Sequence, residues 1–160
     1  MERTSDKIRS TAEAKKKVAE WRSKGERVVF TNGCFDILHL GHVDYLEKAR
    51  NLGDRLIVGL NTDSSVSRFK GSQRPIQDQQ SRARILSSLQ FVDMVVLFDE
   101  DTPKELISTL VPDVLVKGSD YLAENIVGAD VVTQAGGEVK TIDLVTGYST
   151  TAIVKKIKET

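Results

Sequence analysis

Five short apolar runs constrain this chain more than any other feature: Val28-Val29-Phe30, Leu56 to Leu60, Met94 to Phe98, Val114-Leu115-Val116 and Val139 to Leu144. They do not alternate with polar residues, and such unbroken runs suit strands covered on both faces. Between them the period changes to that of helices. Val43, Leu46 and Ala49 form one stripe, ended by Gly53, and Ile85, Leu86 and Leu89 form another that starts after Asp78. Thr102-Pro103-Lys104-Glu105 joins an N-cap, a Pro at the first helical position and a capping-box acid, and predicts a helix that ends before Pro112. A weaker helical signal runs from Asn125 to Ala135, and Ser149 caps a last helix over 150–158. Ahead of the first strand, Ser10-x-x-Glu13 opens an amphipathic helix carrying Ala14, Val18 and Trp21, with Lys15-Lys16-Lys17 as its solvated face. Strands that alternate with helices predict a three-layer α/β fold with a parallel sheet of about five strands. On this reading residues 1–160 form one domain, with 1–26 as an N-terminal helical extension packed on it. The stretch from Ser64 to Gln80, holding Arg68, Lys70 and Arg74 beside Gly71 and Pro75, reads as a basic, mobile loop.

Charge narrows the partners. Lys plus Arg and Asp plus Glu number 23 each, so the broad positive field of a nucleic-acid binder is missing and no nucleic acid is expected. No run of about 18 apolar residues is available for a membrane span, and Met1 to Ser10 lacks the pattern of an export signal. Cys34 stands alone, which fits a reducing, cytoplasmic setting and rules out an internal disulfide.

The chemistry concentrates where the first strand gives way to its helix, in Thr31-Asn32-Gly33-Cys34-Phe35-Asp36-Ile37-Leu38-His39-Leu40-Gly41-His42. A turn of this kind gathers free backbone amides and the positive end of a helix dipole, and so suits an anion. Gly33 and Gly41 allow a phosphate to approach the backbone. His39 and His42, the only histidines, lie three residues apart and are able to donate two imidazole N–H groups to one phosphate. Two other readings stay open: a pair of ordinary half-buried histidines, or metal ligation by His39 and His42 with Asp36 or Cys34. Neither a dinucleotide-binding glycine fingerprint nor a P-loop is present.

Gly33-Cys34-Phe35-Asp36 followed by His39-Leu40-Gly41-His42 resembles the HxGH signature of the nucleotidyltransferase superfamily, which includes the cytidylyltransferases and pantetheine-phosphate adenylyltransferase. Asn61-Thr62-Asp63, Lys70, Arg82, Phe91-Val92-Asp93, Lys117-Gly118-Ser119-Asp120-Tyr121 and Ser149-Thr150-Thr151 extend the resemblance in order, over about Lys15 to Lys158. Tyr148 and Ser119 depart from the pattern. The resemblance implies a Rossmann-like nucleotidyltransferase fold. It also implies AMP transfer from ATP to a sugar 1-phosphate, D-glycero-β-D-manno-heptose 1-phosphate by the nearest pattern, with Mg2+ entering alongside ATP.

The same resemblance implies roles for residues. His39, His42 and Lys70 would be catalytic. Thr31, Asn32, Gly33, Cys34, Phe35, Gly41, Arg82, Lys117, Ser149, Thr150 and Thr151 would bind the nucleotide, with Cys34 a filler and Arg82 a second cation over the phosphates. Arg68 and Arg74 read as solvated loop cations. Asp36, Asp63 and Asp120 would meet the substrate, although Asp36 and Asp63 also suit orienting His and Lys neighbours, and Asp120 an internal ion pair with Lys117. No resident metal is expected. The resemblance further implies a stand-alone enzyme served by a separate sugar kinase, with a homodimer through the strand edge or first helix left open. Two alternatives remain: a CTP-dependent cytidylyltransferase acting on a phospho-alcohol such as glycerol 3-phosphate, and a non-catalytic nucleotide-binding module.

Overall fold

A computed structural model describes every residue from Met1 to Thr160. Its five strands are β1 (Val28–Gly33), β2 (Arg55–Asn61), β3 (Met94–Phe98), β4 (Val114–Gly118) and β5 (Glu138–Ile142). All pair in parallel, in the order β3-β2-β1-β4-β5. The seven helices are α1 (Thr11–Ser23), α2 (Leu40–Arg50), α3 (Asp63–Lys70), α4 (Gln79–Ser87), α5 (Lys104–Leu110), α6 (Ala129–Gln134) and α7 (Thr150–Lys158). The expected α/β class and parallel five-strand sheet are present.

The apolar runs work as strands because successive side chains enter opposite layers. Val28, Phe30, Ile57, Val96 and Leu115 join one core with Ala14, Val18 and Trp21 of α1 and with Leu106 and Leu110 of α5. Val29, Leu56, Val58, Val95 and Val116 join a second core with Leu46 and Ala49 of α2 and Leu86 of α4. A residue that turned polar on either side would lose roughly 1.5–3 kcal/mol of burial, so neither face tolerates alternation. α1 therefore packs on the sheet, and its capping box forms as expected: Ser10 Oγ accepts from Glu13 N at 3.2 Å while the Glu13 carboxylate accepts from Ser10 N at 2.9 Å. Upstream, Ile8 bridges Val95 beside β3, and Arg9 N donates to Val95 O at 3.0 Å.

Several local expectations need correction. β5 is buried only at Ile142 and stops there, because it is an outer strand whose Glu138 and Lys140 meet solvent. α4 ends before Leu89 and turns Ile85 outward; Leu86 is buried as expected, and Arg82 and Ala83 are buried beside it. α5 is capped by Pro103 without a capping box; Thr102 Oγ1 accepts from Lys104 N at a long 3.4 Å. The weak 125–135 signal resolves into a 3-10 turn, Ala123–Asn125, and the short α6. Gly128 between them has φ +87°, and a Cβ there would stand 2.7 Å from Ile107. The supposed loop from Ser64 begins as α3, because Thr62 Oγ1 accepts from Ser65 N at 3.2 Å and Val66 is fully buried. Only 71–78 is irregular.

β1 pairs with both β2 and β4, and the strand order reverses around it. In open parallel sheets ligands sit outside the carboxyl ends of the strands at such a reversal. The β1–α2 turn singled out by the sequence lies there.

Candidate active site

A cavity of about 370 Å3 opens at this reversal, walled by the β1–α2 turn, the end of β4, the 144–148 segment and the start of α7. Gly33 ends β1, and a Cβ on it would stand 2.9 Å from the Phe35 ring. Phe35 itself has φ +45°, the left-handed region, so the turn folds its aromatic ring back over Gly33. Gly33 thus makes room for Phe35, and Phe35 in turn meets His42 edge-on at 5.2 Å.

His39 and His42 stack, with ring centroids 3.8 Å apart and planes at 24°. Gly41 makes that stack possible, since a Cβ there would press on His39 Cε1 at 2.9 Å and Nδ1 at 3.0 Å. Both Nδ1 atoms are buried without a hydrogen-bond partner. An orphaned lone pair costs less than an orphaned N–H, so the neutral rings carry their protons on Nε2, the nitrogen left open. Burial depresses the pKa of His39. In His42 burial, then His39, then Lys70 push it down to about 4. The pair is therefore neutral near pH 7 and presents two N–H donors to a ligand in the cavity.

Two buried charged groups hold the turn from behind, and both correct the sequence reading. The Arg82 guanidinium was expected over phosphates; it is 0% exposed and donates to Cys34 O at 2.7 Å, Asn61 O at 2.8 Å, Gln77 O at 3.0 Å and Asp63 Oδ1 at 2.8 Å. It ties the β1–α2 turn to the end of β2 and does not line the cavity. Asp63, expected at the substrate, is consumed by the same contact and is also absent from the cavity wall. Asp36 reaches the wall, but its carboxylate accepts from Arg74 Nε at 3.0 Å, Ile76 N at 2.8 Å and Gln77 N at 2.9 Å. Burial pushes its pKa up, yet the amides of Gln77 and Ile76 and the Arg74 guanidinium outweigh that and hold it below the usual carboxylate range. Asp36 is thus a strap on segment 71–77, and Arg74, expected as a solvated loop cation, is half-buried at the cavity. Arg68 does stay exposed, paired with Asp99 and Asp101.

The remaining candidates divide. Thr31 lies fully buried behind the wall, its hydroxyl held by Tyr45 Oη at 2.7 Å and Val116 O at 2.9 Å, so it shapes the turn without reaching a ligand. Asn32, Cys34, Lys70, Lys117 and Asp120 line the cavity. Burial pushes the Cys34 thiol up, which suits a filler. Lys117 Nζ donates to Asn32 O at 3.2 Å and lies 5.1 Å from the Tyr121 ring centroid; it forms no ion pair with Asp120. Of the hydroxyls at α7, Ser149 caps Ala152 N at 3.0 Å and Thr150 donates to Ile37 O at 3.1 Å, so Thr151 alone is uncommitted. Tyr45, Tyr121, Leu144, Val145 and Tyr148 also reach the cavity. Of these, Tyr121 carried a sequence signal as the end of the Lys117-Gly118-Ser119-Asp120-Tyr121 motif and Tyr148 as the large residue before Ser149-Thr150-Thr151, whereas Tyr45, Leu144 and Val145 carried none.

His39 and His42 do not gather with Asp36 or Cys34 into a set of three metal donors. A larger hollow of about 520 Å3 lies at the opposite end of the sheet. Its charges satisfy one another, Arg22 with Asp113 and Arg27 with Glu138, and it offers no reactive group. No helix is long and apolar enough to cross a membrane.

The chain is similar to the protein named "Bifunctional protein HldE" of Magnetococcus marinus, 58% identical over 153 residues that cover 96% of this chain and 31% of that protein. The protein of the same name from Syntrophotalea carbinolica is 60% identical over 136 residues, 85% of this chain and 28% of that one. The chain thus spans about a third of the length of these relatives. Among solved structures, a "lipopolysaccharide core biosynthesis protein" from Thermoplasma volcanium superposes with a TM-score of 0.61 at 33% identity, covering 78% of this chain and all of that one. A pantoate-beta-alanine ligase from Francisella tularensis shares the fold, with a TM-score of 0.57 at 16% identity over 96% of this chain and 78% of that one. The Cytidylyltransferase-like family matches residues 30–156, the span from β1 into α7 that builds the cavity, and the chain belongs to that family as a nucleotidyltransferase.

Proposed function

We propose that this nucleotidyltransferase moves AMP from ATP to a sugar 1-phosphate, with D-glycero-β-D-manno-heptose 1-phosphate as the substrate, giving the ADP-sugar and pyrophosphate. The observation that carries the reading is the stacked His39–His42 pair, neutral, with Nδ1 buried, lining one cavity with Lys70 and the start of α7. Such a cavity favours a polyphosphate, and the two solved or curated similarities to "HldE" and to a lipopolysaccharide core protein favour a sugar acceptor.

In the proposed step a phosphate oxygen of the sugar 1-phosphate attacks the α-phosphorus of ATP in line. A new O–P bond forms, the bond from that phosphorus to the α,β-bridging oxygen breaks, and pyrophosphate leaves with the electron pair. The attacking phosphate has its second pKa near 6 and is already mostly ionised, so no base removes a proton. Catalysis is then alignment and charge stabilisation. His39 and His42 donate from Nε2 to the oxygens where charge builds, Lys70 supplies a mobile cation, and the first amides of α2 and α7 face the polyphosphate. A divalent ion, expected as Mg2+, would enter with ATP and supply charge neutralisation to the polyphosphate. The residues fit an ion carried in that way: no three donors converge, and Asp36 is committed to its strap, leaving Asp120 as the free carboxylate of the wall.

On this reading the sugar 1-phosphate is the product of a kinase reaction, and the ATP-dependent step belongs in the cytoplasm. Self-association as a homodimer is part of the same expectation and is read by light scattering. Pyrophosphate release with ATP or CTP against a panel of sugar and polyol phosphates tests the assignment. Turnover confined to ATP with a sugar 1-phosphate is expected. Turnover of CTP alone with glycerol 3-phosphate, or none with any pair, overturns it. His39→Ala and His42→Ala are each expected to lower kcat by about 10²–10³. A loss under tenfold, about 1.4 kcal/mol, removes the electrostatic role.

A further inference from the structure

Beside the nucleotide cavity lies a second hollow of about 170 Å3, which shares Asn32, Lys117 and Tyr121 with it and extends to Asp101, Thr102 and Asn125. These three shared residues form the wall common to the two spaces. Lys117 stands in that wall at the end of β4, largely sunk, and its one hydrogen bond goes to the main-chain oxygen of Asn32. Burial pulls its pKa below the usual lysine range, against the opposing effect of Asp120, yet no carboxylate pairs with it. A desolvated ammonium without an anion is costly to the free protein, and an anionic ligand at the wall relieves the cost.

The far side of the wall has a different chemistry. Thr102 Oγ1 accepts from Lys104 N and keeps its proton to donate. Asn125 offers both an amide donor and an acceptor, Asp101 adds a carboxylate, and the Tyr121 ring forms an apolar face. Hydroxyl-binding groups around one aromatic face suit a polyol ring. The volume of about 170 Å3 equals roughly six waters at about 30 Å3 each, which the hydroxyls of one monosaccharide would replace. The alternative sugar contacts, Asp36 and Asp63, are already spent on Arg74 and Arg82.

We propose that this second hollow holds the sugar ring of the acceptor, with Lys117 receiving its 1-phosphate at the shared wall and so presenting it to the α-phosphorus in the neighbouring cavity. The proposal rests on the sugar-phosphate reading above and adds where the acceptor lies and which residues choose it. Asn125 is exposed, so truncating it leaves the fold intact.

Steady-state kinetics and calorimetric binding of the heptose 1-phosphate are compared for the parent, Asn125→Ala, Thr102→Val and Lys117→Met, with inorganic phosphate as a competitor. Asn125→Ala and Thr102→Val are expected to raise the acceptor KM about tenfold each and to leave the ATP KM within about twofold. Inhibition by phosphate, competitive with the acceptor, is expected to persist in Asn125→Ala and to vanish in Lys117→Met. Acceptor KM unchanged in both Asn125→Ala and Thr102→Val, or an ATP KM raised instead, overturns the hollow while leaving the reaction intact. A parent protein that neither binds nor turns over any sugar 1-phosphate overturns both.

Discussion

Replacing Arg82 tests how the β1–α2 turn is held. Arg82→Met keeps the apolar stem of the side chain and removes every donor, so four hydrogen bonds vanish at once: to Cys34 O, Asn61 O, Gln77 O and Asp63 Oδ1. A hydrogen bond from a charged donor is worth about 1.5–3 kcal/mol. Asp63 is 40% exposed and regains water, and Gln77 is half-exposed, so the lasting penalty falls on the carbonyls of Cys34 and Asn61. Two such bonds give about 3–6 kcal/mol, a large part of the 5–15 kcal/mol typical of a folded domain. Urea unfolding reads it directly. With a slope of about 2 kcal/mol per molar the midpoint should fall by roughly 2 M at unchanged slope. Arg82→Lys should recover less than half, because three donors on one nitrogen do not span acceptors on three segments. A loss below about 1 kcal/mol in Arg82→Met, with the slope unchanged, would show that the turn is held by something else.

Three further outcomes follow from the geometry. Gly41→Ala should displace the His39 ring, whose Cε1 and Nδ1 would stand 2.9 and 3.0 Å from the new Cβ. Its kcat should fall at least tenfold while thermal stability holds or rises, since Ala favours the helix by about 1 kcal/mol; a matched fall in both would refute the steric argument. His42 stays neutral in the folded protein down to about pH 4, whereas an unfolded imidazole protonates near 6.5, so the unfolded chain binds more protons between those values. Stability therefore rises with pH through that window, and the loss from pH 7 to 5 in urea titrations should shrink by about 1–2 kcal/mol in His42→Gln. Asp36→Asn leaves one acceptor where two oxygens now serve Arg74 Nε and the amides of Ile76 and Gln77. Trypsin should then cut after Lys70, at the foot of the loosened segment, several-fold faster, and an unchanged cleavage rate would remove the strap.

The sheet was legible because both its layers are apolar, so β1 to β4 stand out as unbroken runs. β5 misleads on the same criterion: Val139 and Ile142 resemble a covered strand, while Glu138 and Lys140 mark its outward position. α3 hid behind its cations, although Thr62 and Ser65 already carried the spacing of an N-cap. At the site, the glycines and histidines mark the β1–α2 turn, because Gly33 and Gly41 leave the room that the Phe35 and His39 rings take. Arg82 and Asp36 escape such reading, since a cation or an acid near a phosphate turn has the same sequence whether it faces the ligand or braces the backbone behind it. The second hollow has no contiguous signal at all, because Asn32, Thr102, Lys117 and Asn125 come from separate segments that only the sheet order assembles.

The bridge from Ile8 to Val95 leaves the molecule lopsided in its risk of polymerising. The β5 edge is free along its length, whereas Ile8 and Arg9 occupy the β3 edge at Val95, and an identical strand arriving at β5 in parallel alignment would set Glu138 against Glu138 and Lys140 against Lys140. Like charges repel such growth on that flank, and the leading segment interrupts the template at Val95 on the other.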